Sequence, residues 1–562
     1  MHGTVSGADG TANAALLRRQ ALAGESGWAG LVHNRRVFAL AVFASLGGLL
    51  YGYNQGVFSS VLGMHSFNVR MAEVVNDSGL KGKVIRWFVA VLELGAWVGV
   101  LASGPLADII SRKRTIVLAV IVFIIGAIIQ TCAMAPDSIF AGRFIVGLGV
   151  GSLSFVVPLY NAELSPPEVR GSLVALQQLS ITAGIMISFW IDYGTNFIGG
   201  TGEGQKEVAW RLPLALQIVP ALILGIGTFF LPYSPRWLVN QGRDDEALAV
   251  LAKARRLPDT NDLVQIEFLE IRAEYLFEKE TSEAKWPQYQ AVLFRRVATG
   301  AITMFFQQWT GINAILYYAP SIFKALGLEG NALSLLATGV VGIVMFLATI
   351  PATLWIDKIG RKPILISGAF AMGACHFIVA ALIGQFRDSW ETHRAAGWVA
   401  CVFVWLFAIA FGYSWGPAAW ILISEIFPLS VRGKGMSVAA SSNWMNNFIV
   451  GQVTPSMLDA MPYGTFIFFG MFSTLGGVFI WFLCPETKGL SLEEMDAAFG
   501  DTGARLAAED RARQQAIHKR LGLDTFFDKE TGHGSDTDEK KVHAEERKEH
   551  MKEATGTTGT TA

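Results

Sequence analysis

Charged residues are swept out of long stretches of this chain. Thr115 to Ala135, Leu212 to Leu231, Val297 to Phe323, Gly397 to Ile423 and Tyr463 to Cys484 contain no Asp, Glu, Lys, Arg or His. A helix needs about 20 mostly apolar residues to cross the ~30 Å hydrocarbon core of a bilayer. Reading for such windows predicts twelve spans, at 37–63, 87–107, 115–135, 139–159, 172–191, 212–231, 297–323, 331–356, 363–384, 397–424, 435–458 and 463–484. An even number puts both chain ends on one side. With the N-terminus in the cytoplasm, Lys and Arg divide 35 inside and 9 outside, and 13 against 9 once the two long inner segments are left out. That is the sense of the positive-inside rule.

Composition agrees. Of 562 residues 52% are hydrophobic and 16% charged, against about 25% charged in an ordinary soluble domain. A net charge of -1 leaves no basic footprint for nucleic acid. Cys132, Cys375, Cys401 and Cys484 lie in or at the ends of apolar runs, with no disulfide framework or metal-ligand spacing, and read as small buried apolar residues. The first 36 residues are polar and carry four arginines, so no cleavable signal peptide is expected and the first span serves as the insertion signal.

The chain echoes itself. Asp108, Arg112 and Lys113 after the second span match Asp357, Arg361 and Lys362 after the eighth; Glu163, Pro166, Arg170 and Gly171 match Glu425, Pro428, Arg432 and Gly433; Pro232 to Arg236 match Pro485 to Lys488. Offsets of 249, 262 and 253 residues point to a repeated six-helix unit, an internal symmetry common among transporters. The expected organisation is an N-terminal segment 1–36, a six-helix bundle 37–231, a central loop 232–296 with short helices, a second bundle 297–484, and a mostly disordered tail 485–562 with one helix near 508–521. Both termini and the central loop are expected in the cytoplasm. Asn76-Asp77-Ser78 is a glycosylation sequon in the first outer loop.

Several segments carry a family resemblance: GPLADIISRK (104–113), GRFIVGLGVGSLSFVVPLYNAELSPPEVRG (142–171), PYSPRWL (232–238), QQWTGINAILYY (307–318), DKIGRK (357–362), WGPAAW (415–420), SEIFPLSVRGKG (424–435) and PETKGLSLEE (485–494). Together, in order and at the right spans, they resemble the signature set of the sugar porter family of the major facilitator superfamily, its fungal members most closely. The resemblance covers roughly residues 35–500. It implies an all-α membrane protein of twelve transmembrane helices in two pseudo-repeated six-helix bundles, with a sugar bound midway between them.

Carboxylates and guanidiniums at matching helix ends, Asp108 with Arg112, Glu163 with Arg170, Asp357 with Arg361 and Glu425 with Arg432, are able to form bidentate pairs that clamp the bundles together on one side. The resemblance implies that this gate closes the cytoplasmic face. Within the spans, Gln178, Gln307, Gln308, Asn313 and Asn447 each offer an amide donor and acceptor suited to paired sugar hydroxyls, and Trp420, with Trp444, an aromatic face for the ring. Such polar side chains are expensive in hydrocarbon and face a cavity or a partner; interhelical hydrogen bonding is their other use, and for Asn443 and Asn446 the two readings balance. Gly147, Gly149 and Gly151 read as close helix packing, and His376 as a satisfied core histidine. No catalytic constellation, cofactor motif or metal cluster is visible, so no enzyme is expected.

Proton-coupled relatives carry Asp in a GYD motif of the first span, near the Arg of the fourth. Here the segment is GYNQGV: Asn54 stands at the carboxylate position and Arg143 is kept. An amide cannot exchange a proton, which points to uniport. Glu93 in the second span is the substitute proton site or an ion-pair partner for Arg143, and Asp192 at the end of the fifth reads as titratable or as a solvated helix-end residue. Met345, Tyr233 and Ser111 replace an Asn, an acidic residue and a Gly of the family pattern. The reading is a monomeric plasma-membrane carrier moving a monosaccharide, hexose or pentose, by alternating access. Its rivals are a proton symporter using Glu93 and a non-transporting sugar sensor, whose tail is generally much longer than the 78 residues after Cys484.

Overall fold

A computed structural model describes residues 34–71, 78–165, 170–282, 286–326, 331–387, 389–390, 392–427, 432–488 and 504–523. They are helical almost throughout. The first half is built from α1 (Arg35–Ala44), α2 (Leu46–Val61), α3 (His65–Arg70), α4 (Ser78–Ile110), α5 (Arg112–Thr131), α6 (Pro136–Leu164), α7 (Arg170–Thr195), α8 (Val208–Leu216) and α9 (Ile218–Thr228). Three helices follow outside the bundle, α10 (Pro235–Asn240), α11 (Asp244–Arg255) and α12 (Asp262–Ser282). The second half comprises α13 (Trp286–Trp309), α14 (Ile312–Ala325), α15 (Asn331–Ile359), α16 (Arg361–Phe386), α17 (Arg394–Tyr413), α18 (Trp415–Glu425), α19 (Arg432–Ala460) and α20 (Pro462–Leu483), and α21 (Ala504–Arg520) closes the chain.

Every expected span falls on helix, but only nine segments among the described residues are both long and apolar enough to cross a bilayer by composition. The three that fall short are α7, the α13–α14 pair and α19. These carry Gln177 and Gln178, then Gln307, Gln308 and Asn313, then Asn443, Asn446 and Asn447. Their polarity is tolerable because most of these side chains are turned inward, away from lipid.

The glycine run of α6 is packing surface. A Cβ on Gly151 would lie 2.0 Å from Ala96 O of α4, and one on Gly147 2.2 Å from Leu92 O, so α4 and α6 touch backbone to backbone. The same device joins α2 to α7, where a Cβ on Gly52 would lie 1.8 Å from Ile181 O. Cys375, Cys401 and Cys484 are buried, but Cys132 is exposed, contrary to expectation, because it caps the end of α5.

Outside the bundle, α10 to α12 share a small core of Trp237, Leu238, Val264, Phe268 and Phe277. α11 begins with Asp244, Asp245 and Glu246 and ends with Lys253 and Arg255, the charge order its dipole favours. The tail helix α21 builds no core of its own; it adds Ile517 to that of α10–α12, as does Leu523 just beyond it, and Arg520 pairs with Glu280 at 3.6 Å.

The two halves share an unusual backbone conformation but fill it with different residues. Gly360 precedes α16 at φ 107°, and its counterpart before α5 is Ser111 at φ 94°, both in a region essentially restricted to glycine. Ser111 recovers part of the cost because its hydroxyl accepts from Arg114 N at 3.3 Å. Ser111→Gly should raise unfolding stability by on the order of 1 kcal/mol, since strain of about 1–3 kcal/mol outweighs a Ser-to-Gly cap loss of a few tenths. Gly151→Leu should abolish monodisperse protein, whereas Gly194→Ala, with nothing within 4 Å of the new Cβ, should leave it unchanged. Thermal melting and size-exclusion chromatography in detergent check both.

Candidate substrate and coupling site

The centre of the site is a hydrogen-bonded hub between the halves. Glu93 on α4 is fully buried. Its carboxylate accepts from Asn447 Nδ2 of α19 at 2.8 Å and from Gln55 Nε2 of α2 at 3.4 Å. The Tyr317 hydroxyl of α14 lies within reach of Glu93 Oε1 (2.7 Å), Asn447 Oδ1 (2.9 Å) and Gln55 Oε1. One hydroxyl proton serves only one of these three acceptors at a time, so the hub holds more acceptors than its own donors satisfy.

Around it the C-terminal amides hold one another in place. Asn313 Nδ2 donates to Gln308 Oε1, Asn443 Nδ2 to Gln307 Oε1, and Gln307 Nε2 to Trp415 O at 2.8 Å, across the break between α17 and α18. Gln178 of α7 lies close to Gly416 of α18. Trp420 is half-buried on α18. Trp444 is enclosed, its indole donating to Ser154 of the other half at 3.2 Å and its ring 4.9 Å from that of Tyr51. Asn446 takes the interhelical role, accepting from Trp309 Nε1 at 2.8 Å. His376 meets Thr310 O at 2.8 Å among Phe407, Phe466 and Phe469.

Asn54 and Arg143 are both buried, yet the structure does not join them. Asn54 Nδ2 turns back to Leu50 O at 3.0 Å and its Oδ1 has no partner. Arg143 donates to Val89 O at 3.3 Å, stacks 4.0 Å over Phe58, and leaves Nε and Nη1 without partners. It forms no ion pair with Glu93. Asp192, expected as titratable or solvated, has no exposed surface at all, because α7 runs on to Thr195 and keeps that turn packed inside the bundle.

At the end of the bundle facing α10–α12, Arg112 pairs with Asp108 as expected, while its pair with Glu163 and that of Arg361 with Glu425 cross motifs. Arg112 holds Glu163 at 2.9 Å and Asp108 at 3.0 Å; Arg361 holds Glu425 at 2.7 Å. Each of these bridges lies within one half, where a clamp between the bundles was expected. The side chains of Arg170, Asp357 and Arg432 lie outside the described residues, as does Asn76. The third echo completes each cluster: Ser234 donates to Glu163 and Thr487 to Glu425. Its neighbours differ. Glu486 accepts from Arg361 N at 2.9 Å and Lys362 N at 3.0 Å, capping α16. Tyr233 instead stacks on Trp237 and lies under Lys113, 5.1 Å from its ring centre, so a cation–π contact stands where the family pattern has a carboxylate. Gln55, Tyr317, Ser234, Glu486 and Thr487 carry these contacts without having been singled out from sequence, although all sit inside or beside the motif segments.

Two packed helical halves with polar side chains converging between them define a membrane carrier of the major facilitator type. The family model described as sugar (and other) transporter matches residues 40–499, and the chain belongs to that family. It is 34% identical over 483 residues to the quinate permease of Neurospora africana, covering 83% of this chain and 89% of the relative. It is 33% identical to the major facilitator-type transporter ecdD of Aspergillus rugulosus, covering 88% and 93%. Among solved structures it is similar to the proton:xylose symporter XylE bound to 6-bromo-6-deoxy-D-glucose, with a TM-score of 0.70 and 28% identity over 82% of this chain and 99% of that one. The protein is thus a multi-pass membrane transporter and not an enzyme.

Tyr317→Phe should lower unfolding stability by about 1–3 kcal/mol, because it strips a donor from a buried acceptor set. Asn446→Ala should cost a similar amount while leaving the hub intact, so the two should separate in ligand binding but not in thermal melting.

Proposed function

We propose that the protein carries a neutral monosaccharide, hexose or pentose, across the plasma membrane by alternating access, with both termini in the cytoplasm. The observation that carries this reading is the surplus of acceptors around Tyr317. A ring bearing adjacent hydroxyls supplies the missing protons, and the amides of Gln178, Gln307, Gln308, Asn313 and Asn447 supply both donors and acceptors. Trp420 offers the ring an apolar face. A sugar that takes over contacts of Tyr317 and Asn447 also loosens a tie between halves, which links occupancy to rearrangement. The clusters on Arg112 and Arg361, with Asp108, Glu163, Glu425 and by echo Arg170, Asp357 and Arg432, serve the inner gate by ordering the inner end of each half separately, since the described bridges do not cross between halves.

Asn54 supports downhill uniport. Glu93, already supplied with neutral donors, is the site through which a proton-coupled cycle would run. A second substrate reading rests on Arg143, whose guanidinium has two donor groups without partners. That favours a polyhydroxylated carboxylate, the class to which the substrate named for the Neurospora relative belongs.

Purified protein in liposomes should equilibrate a labelled hexose or pentose without concentrating it under an imposed pH gradient; gradient-driven accumulation would reject uniport. Gln307→Ala and Asn313→Ala should each raise KM roughly tenfold, since a lost neutral hydrogen bond is worth about 1 kcal/mol or somewhat more. Asn54→Asp should introduce pH dependence. Uptake of quinate with no uptake of neutral sugar would transfer the assignment to the carboxylate reading.

A further inference from the structure

We infer that the end of the bundle opposite α10–α12 holds a monovalent cation site, for a proton or a sodium ion, made by Asp192 of α7 and Ser60 of α2. It rests on the carrier reading only for its role in transport, not for its existence.

Asp192 is fully buried and Ser60 is 1% exposed. The Ser60 hydroxyl is the side-chain donor that faces Asp192, and the carboxylate has no other hydrogen-bond partner. A fully buried carboxylate therefore has a single neutral hydroxyl for company. A bare carboxylate is not kept there at such cost; it is neutralised by a bound proton or a small hard cation, and oxygen donors are what such a cation takes.

The surroundings supply no other countercharge. On α2, Tyr53 is the titratable neighbour, and its hydroxyl is committed to Pro213 O at 2.8 Å. On α8, Arg211 is held by Glu207 at 2.9 Å and by the carbonyls of Thr131 and Ala133. On α6, Arg143 is stacked over Phe58. α15 carries no charged residue before Asp357, and Glu425 of α18 is paired with Arg361 at the other end.

The place matters for the cycle. One turn before Asp192, α7 meets the opposite half: Gly339 of α15 lies under Trp190, and Gly342 against Met186 and Phe189. On its other side α7 packs on α2, with Ser188 and Phe189 against Gly56. A cation that ties Asp192 to Ser60 fixes the α2–α7 pair where it abuts the second half.

The test begins without substrate. Purified full-length protein is melted in detergent across pH 5 to 8, and across sodium at constant ionic strength with choline as the balancing cation. For a sodium site the wild type gains stability with sodium; for a proton site it gains stability as pH falls and loses it as pH rises. Asp192→Asn should be flat in whichever variable the wild type follows. Ser60→Ala, which removes only a hydroxyl, should fold and shift the sodium midpoint about tenfold or the pH midpoint by about one unit, as expected for one lost ligand to a charge. In liposomes, substrate counterflow should persist in Ser60→Ala while any ion dependence of net uptake moves with the same midpoint. A wild type that responds to neither ion, or a Ser60→Ala curve superimposable on the wild type, overturns the proposal. Loss of counterflow in the wild type would instead count against the carrier reading, leaving the melting result to stand alone.

Discussion

Inside a bilayer there is no water to hydrogen-bond an unpaired polar group, so each one must find its partner in the protein. This constraint orders most of what the structure contains. The least apolar spans, α7, α13–α14 and α19, are not surface helices. Most of their amides point at one another and at the opposite half, where Glu93 gathers Gln55, Tyr317 and Asn447 into a single hub. Buried polar atoms without a hydrogen-bond partner remain at several positions, Asn54 and Arg143 among them, along with Gln130 and Gln177.

The pseudo-repeat supplies the frame and its small breaches supply the individuality. Arg112 with Glu163 and Ser234 is matched by Arg361 with Glu425 and Thr487, the same three chemistries in the same order along the chain. Beside this parallel, Tyr233 and Glu486 have diverged completely. Glu486 caps a helix, while Tyr233 receives Lys113 on its ring face. The two clusters are thus joined to the helix that follows by different contacts, a cation–π contact in the first half and backbone N–H bonds in the second.

Much of the architecture was legible in the sequence because hydrocarbon imposes so coarse a filter. Twenty residues without a charge admit few interpretations, and the echoes at Asp108, Glu163 and Pro232 located the repeat. What could not be read was direction. Asp192 stands near the end of its span, where a carboxylate usually meets water, and only the packing of that turn buries it. Cys132 sits at the end of an apolar run but faces outward as a cap. Neighbouring charges such as Glu163 and Arg170 invite local pairing, yet Glu163 reaches 51 residues back to Arg112. Tyr317 lay inside a quoted motif, but nothing in its own residue type reveals that three acceptors from three helices meet at its hydroxyl.

The docking of α21 on α10–α12 alters the connectivity of the whole molecule. The linker joins the halves covalently, and the tail, leaving the second half, returns to bury Ile517 and Leu523 in that same linker. The tail is thereby tied to the linker by packing alone. On the alternating-access reading, residues well beyond the last span therefore bear on helices they never touch.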